Sequence, residues 1–281
     1  MPWFLPCGGR EGQKMKSIIK GYGMLVVGAL VIFFSGIYPA HANFLGSDNF
    51  NDNTVDTSKW GADYVYGGGT LLETNNRLEY IVADPGGFSG VERQWILNQG
   101  SYIDSWAVQL DVSVGNISLS SGNENYTTMA LYVGNVDDPS DDGALIGLSV
   151  FGTIGRNFLA NFFNNGSFYG PSVLTDTTSE AAAIRIAFDS VSKLLYLQYD
   201  ADGSVGGYDW TTLRTEDVTL WNMTDASLFN VAINVGSGGI AILPGMVTAD
   251  NFLASQVPEP ATMLLLGLGL VGLAGLRRFK K

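Results

Sequence analysis

Leu194-Leu195-Tyr196-Leu197-Gln198-Tyr199-Asp200, running into Ala201-Asp202-Gly203, is the stretch that decides the fold class. It is a short apolar and aromatic run, too brief for a globular helix, and it ends on a turn signal. Asp-Gly suits the positive φ that tight turns demand. The run is therefore expected to be a strand entering a turn, with its return strand over Gly207–Thr211.

The same signature recurs outward in both directions. Between residues 43 and 255, short runs rich in Val, Ile, Tyr, Phe and Thr are separated by Gly, Asn, Asp and Ser. No long amphipathic-helix pattern interrupts them. Strands are expected at Arg77–Ala83, Val91–Leu97, Ser105–Val114, Thr127–Val133, Ala144–Phe151, Asn157–Phe163, Ala183–Phe188, Leu194–Asp200, Asp217–Trp221, Phe229–Val235 and Met246–Phe252. Strands at this spacing indicate a sandwich or a barrel. Asp48-Asn49-Phe50 and Asp250-Asn251-Phe252 echo each other. They are expected to be first and last strands lying side by side, with both Phe side chains in the core.

The layout resembles the concanavalin A-like jelly rolls of lectins and glucanases. The resemblance rests on Asp48-Asn49-Phe50 with Trp60 ten residues on, the Leu194–Trp210 hairpin, and the closing Asp250-Asn251-Phe252. The expected fold class is all-β: a jelly-roll-like β-sandwich flanked by an N-terminal signal helix and a C-terminal transmembrane helix. An immunoglobulin-like sandwich, which has fewer strands, ranks second.

Charge and composition narrow the function. The whole chain has 15 Lys+Arg and 27 Asp+Glu. Residues 1–42 and 256–281 each take four bases and one acid, leaving the middle with seven bases, 25 acids and a net charge of −18. Such a domain repels nucleic acid, whose binding rests on Lys and Arg at phosphates. Cys7 and His41 are the only residues of their types. Both fall in the segment expected to be removed, so the mature domain is left without disulfides, Cys or His zinc sites, Cys nucleophiles or Ser–His–Asp triads.

The two ends carry export signals. Lys16 and Lys20 precede the apolar Met24–Ile37 stretch and the small-x-small site Ala40-His41-Ala42. This order is that of a secretory signal peptide over residues 1–42, cut by signal peptidase to leave Asn43 first. Met15 is a more natural start than Met1, so residues 1–14 are expected to be an over-extended start. At the other end stand Val257-Pro258-Glu259-Pro260, the apolar residues 261–276, and Arg277-Arg278-Phe279-Lys280-Lys281. As a helix the apolar run spans about 24 Å, short for a ~30 Å hydrocarbon core that snorkelling Arg can help bridge. The basic cluster places the tail end in the cytoplasm and the β domain outside.

Those three elements in order resemble the PEP-CTERM sorting signal of Gram-negative bacteria. The match rests on Val257-Pro258-Glu259-Pro260, residues 261–276 and Arg277-Arg278. The resemblance implies processing by an exosortase-type membrane protease near Pro258-Glu259-Pro260. It also implies export, tethering at the inner membrane during sorting, and delivery to the cell surface or an exopolysaccharide and biofilm matrix.

Within the domain the candidate sites are few. The glucanase branch of this sandwich uses alternating carboxylates, E-x-D-x-(x)-E, on one strand. Here Val108–Val112 carries Asp111 alone, and none of Glu73, Glu79, Glu92, Glu124, Glu180 and Glu216 pairs with an acid in that pattern. No catalytic residue is therefore assigned. Asp200, Asp202 and Asp209 are candidate Ca²⁺ ligands. With Asp200 as position 1, Asp209 falls at position 10, short of the acid that closes an EF-hand at position 12. Asp137, Asp138, Asp141 and Asp142 form a second candidate Ca²⁺ cluster. Trp210, beside the acidic turn, is the candidate glycan-stacking residue. No other cofactor is expected. The expected function is an exported, non-enzymatic surface or matrix protein that binds polysaccharide. The alternatives are an exported carbohydrate-active hydrolase of the same fold and a purely structural matrix protein.

Overall fold

The computed structural model describes residues 46–83, 87–117, 119, 125–136, 142–165 and 167–257. The signal segment with Ala40, Ala42 and Asn43, and the tail beyond Val257 with its expected span over 261–276, lie outside the described residues. Among the described residues no helix is long and apolar enough to cross a membrane.

The strands in chain order are β1 (Gly46–Asp48), β2 (Tyr64–Tyr66), β3 (Gly69–Thr74), β4 (Arg77–Val82), β5 (Phe88–Ser101) and β6 (Trp106–Val114). There follow β7 (Tyr126–Asn135), β8 (Gly143–Phe151), β9 (Gly155–Asn164), β10 (Ser167–Phe168) and β11 (Val173–Asp176). The rest are β12 (Ala181–Asp189), β13 (Leu194–Asp200), β14 (Thr211–Asp217), β15 (Leu228–Gly238) and β16 (Ile242–Gln256). They form two antiparallel sheets. The first runs β14-β13-β12-β6-β16-β4-β3, with β1 also paired to β16. The second runs β10-β9-β8-β7-β15-β5-β2, with β11 also paired to β9.

The sheets stack because their strands alternate. Val108, Leu110, Val112 and Val114 of β6 point inward, while Gln109, Asp111 and Ser113 point out. Met129, Leu131 and Val133 of β7 do the same for the second sheet. One apolar core joins these residues to Ile184, Ile186 and Phe188 of β12 and Ile233 and Val235 of β15. A strand with this period buries one face and leaves the other to water.

The terminal echo behaves as expected. β1 pairs antiparallel with β16, Asp48 opposite Phe252. Phe50 and Phe252 are buried around Trp60, with ring centroids 5.8 and 4.9 Å away. Asp48 ties the corner together. Its Oδ2 accepts from Trp60 Nε1 at 2.9 Å and its Oδ1 from the Phe50 amide at 3.0 Å.

Two local expectations are corrected. Asp217–Trp221 is not a strand: Val218–Trp221 is a 3₁₀ turn capped by Asp217, whose side chain accepts from Thr219 N. The buried residues are Val218 and Trp221, while Leu220 is half-exposed, so the period is three rather than two. The return strand is Thr211–Asp217 rather than Gly207–Thr211. Asp200 Oδ2 accepts from the Asp209 amide, which holds a wide connection in place of a tight hairpin.

Candidate functional site

The outward face of the second sheet is set by register. Glu92 of β5 lies opposite Asn234 of β15, which lies opposite Ala130 of β7, opposite Gly147 of β8. One step along, Tyr66, Gly90, Gly236, Thr128 and Ser149 form the next row. The central positions are therefore small, and the sheet carries a trough down its middle.

Close approach explains the glycine at 90. A Cβ there would meet the Tyr66 ring and, at 3.0 Å, the Val235 carbonyl. Its absence lets the Tyr66 ring lie against the strand. Aromatic side chains build both walls. On one side Tyr66 stacks on Phe88 at 5.6 Å, Phe88 on Tyr126 at 6.3 Å, and Tyr126 on Phe151 at 6.0 Å. On the other, Tyr132 meets Phe163 at 6.4 Å and Phe163 meets Phe168 at 5.0 Å. The resulting groove has a volume of about 930 Å³. Phe88 and Phe168 are more than half exposed, so this is an apolar surface open to solvent.

The polar groups of the groove are amides, hydroxyls and one carboxylate. Glu92 Oε1 accepts from Gln94 Nε2 at 3.1 Å and its Oε2 from Asn234 Nδ2 at 3.3 Å. Asn234 Nδ2 also reaches Tyr66 Oη at 3.2 Å. Ser149 Oγ donates to Thr128 Oγ1 at 2.8 Å. Asn161 is 7% exposed, and its Oδ1 has no partner; neither has Asn230 Oδ1. Burial pushes the Tyr126 phenol up to about 12 and raises Tyr66 as well, so both stay neutral hydroxyls. Among the described residues lining the groove, Glu92 is the only acid and there is no Lys, Arg or His.

The candidates singled out in the sequence fall elsewhere. Trp210 sits on the first sheet, stacked on Tyr208 at 5.0 Å, with the Arg185 guanidinium 5.4 Å from its ring. Asp200 is buried and acts as a turn cap: its carboxylate accepts from the amides of Asp202 and Asp209. Burial opposes its ionisation, but these hydrogen bonds hold its carboxyl below the usual range. Asp202 instead shares a shallow pocket with Asp111 and Asp250. Asp142 is buried, and its Oδ1 accepts from the Asn165 amide at 2.7 Å. Asp137, Asp138 and Asp141 lie outside the described residues. Among the described residues no group of three or more His, Cys, Asp or Glu is placed to hold a metal.

The groove itself was missed in the sequence, although its signal was there. Tyr126, Thr128, Ala130 and Tyr132 alternate with Thr127, Met129, Leu131 and Val133. Tyr126 and Tyr132 on the outward phase of one strand mark an aromatic surface rather than core.

The chain's last described residue donates from Val257 N to Ser105 O at 3.0 Å, leaving the first sheet at the point where Pro258-Glu259-Pro260 begins. Residues 256–278 match the PEP-CTERM protein-sorting motif. The PEP-CTERM motif indicates an exported protein processed at a membrane, and implies an exosortase as its partner. No curated protein matches the chain. Among solved structures, an endo-1,3-β-glucanase from Streptomyces sioyaensis is 15% identical with a TM-score of 0.52, over 79% of this chain and 99% of that one. A winged bean acidic lectin, complexed with methyl-α-D-galactose, is 13% identical with a TM-score of 0.50, over 76% of this chain and 100% of that one. These likenesses show the fold: the β domain of this PEP-CTERM chain resembles a concanavalin A-like jelly roll.

Proposed function

We propose that the β domain is a non-enzymatic glycan-binding module, delivered by its PEP-CTERM tail to the cell surface or the extracellular polysaccharide matrix. The observation that carries this reading is the trough between two aromatic walls on the second sheet. Sugar rings present apolar C–H faces and a rim of hydroxyls. Aromatic walls take the faces, and the amide side chains of Gln94 and Asn234 and the Thr128 hydroxyl in the lining suit the hydroxyl rim. Without a cation among its described lining residues, the groove suits an uncharged, linear polysaccharide.

Hydrolysis of a glycosidic bond uses two carboxyl groups flanking the bond. Glu92 is the one carboxylate among the described lining residues, which favours binding over cleavage. The neighbouring glucanase and lectin agree with a carbohydrate ligand at the level of fold only.

The test is retention of the protein on immobilised neutral polysaccharides, followed by calorimetry with oligosaccharides. Tyr66→Ala and Tyr126→Ala are each expected to weaken binding about five- to tenfold, from stacking worth roughly 1 kcal/mol per ring. Binding that ignores both substitutions would refute the groove. Release of reducing ends, abolished by Glu92→Gln, would make the domain a hydrolase instead.

A further inference from the structure

A second site lies on the opposite sheet and does not depend on the groove. The domain's seven cations are Lys59, Arg77, Arg93, Arg156, Arg185, Lys193 and Arg214. Lys59, Arg77, Arg93 and Arg214 form ion pairs with carboxylates. Arg156 donates to the Val114 and Gly115 carbonyls and Lys193 to the Tyr102 carbonyl. Arg185 alone has no carboxylate or carbonyl partner among the described residues, and its Nε is buried with no acceptor. In a domain with 25 acids, a guanidinium left unpaired is unexpected, because leaving a buried charged donor unmet is costly.

Its surroundings form a receptacle. Register places Arg185 in an outward row with Gln109 of β6 on one side and Gln198 of β13 on the other. Trp210 stands over the guanidinium, which shields that cation from water. A pocket of about 390 Å³ opens beside it, lined by Arg185, Tyr196, Gln198, Thr212, Ala187 and Val257. Asp189 also borders the pocket, but its carboxylate is engaged by the Val191 amide and the Ser192 hydroxyl.

We infer that this pocket binds a carboxylate-bearing sugar, a hexuronic acid unit, with its carboxylate on Arg185. A carboxylate can accept from the guanidinium fork through two parallel hydrogen bonds, which would give this cation the partner it lacks. The pocket is much larger than a carboxylate requires and falls in the size range of small-molecule sites. The Tyr196 ring suits the sugar's apolar face, and the Gln198 amide and Thr212 hydroxyl suit its hydroxyls. The domain would then take an acidic glycan on one sheet and a neutral one on the other.

Calorimetry on the full chain with sodium glucuronate tests this, with glucose as the uncharged comparison and sodium acetate as the bare carboxylate. Glucuronate is expected to bind at least tenfold more tightly than glucose or acetate. Arg185→Gln should abolish that preference, and Arg185→Lys, which keeps the charge but not the fork, should retain only part of it. Thermal melting of each variant establishes that it is folded, and Tyr196→Ala, which leaves the cation in place, provides a second route to lost affinity. Glucuronate binding no tighter than glucose would overturn the proposal. So would an unchanged affinity in Arg185→Gln, or acetate binding as tightly as glucuronate.

Discussion

Glu73 sits where burial resists its charge. It is buried on β3, where Arg93 Nη1 reaches its Oε1 at 3.2 Å while Oε2 has no partner. Arg93 is itself shared with Asp63 and the Leu71 carbonyl. Burial, reinforced by Asp48 and opposed by Arg93, pushes the Glu73 carboxyl from its usual 4.5 up to about 7. In the unfolded chain the group loses its proton near 4.5, whereas the folded protein holds it to about 7. Raising the pH between those values therefore favours unfolding, by a total on the order of 3 kcal/mol. Glu73→Gln keeps the neutral shape at every pH. Urea titrations should show the variant matching the native chain below pH 4.5 and exceeding it in stability above pH 7. A variant less stable than the native chain at about pH 8 would mean that the Arg93 pair outweighs the burial.

At the scale of the strand, the groove depends on absent side chains as much as on aromatic ones. Gly90→Ala adds a methyl group where the Tyr66 ring now rests. The chief clash is with a side chain that can swing outward, and the nearby Val235 carbonyl, at 3.0 Å, needs only a small shift. The variant should melt close to the native protein yet lose several-fold affinity for the neutral polysaccharide, as Tyr66→Ala does. A melting temperature lowered as far as by a core deletion, with affinity intact, would show that the glycine serves packing alone. The positions of the longer strands along the chain were the legible part of the sequence. Leu194–Asp200 keeps its expected limits, β6 starts one residue later than expected, and β7, β8 and β9 extend the expected runs by a residue or two at an end. The short β2, β10 and β11 escaped because two to four residues cannot display a period, and the six-residue β3 was missed as well. Asp217–Trp221 escaped because Val218, Leu220 and Trp221 fit both alternation and a 3₁₀ turn, and only the packing of Trp221 decides between them. The groove escaped for a different reason. Its walls come from strands far apart in the chain, Tyr66 and Tyr126 meeting through Phe88, and no linear spacing records that.

For the whole molecule, the decisive relation is between the exit of the chain and the two faces of the sandwich. β16 belongs to the first sheet, and Val257 leaves beside the Arg185 pocket, whereas the aromatic groove lies on the second sheet. The sorting motif and the body were therefore legible as separate units in the sequence, but their geometric relation was not, since it depends on which sheet the last strand joins. Val257, the last described residue, is held on the first sheet by Ser105 and does not line the groove. Chains ending at Val257 should therefore bind neutral polysaccharide with the affinity of the full chain, measured by calorimetry in matched detergent. They should at the same time fail to reach the surface or matrix fraction of cells, followed by immunoblotting of fractions. Val257 lines the Arg185 pocket, so a chain ending there puts its new terminal carboxylate at that pocket, and glucuronate affinity should fall several-fold while groove affinity does not. A groove affinity that changed several-fold on removing the tail would show that the two faces are coupled through the core, and that the PEP-CTERM segment does more than deliver the domain.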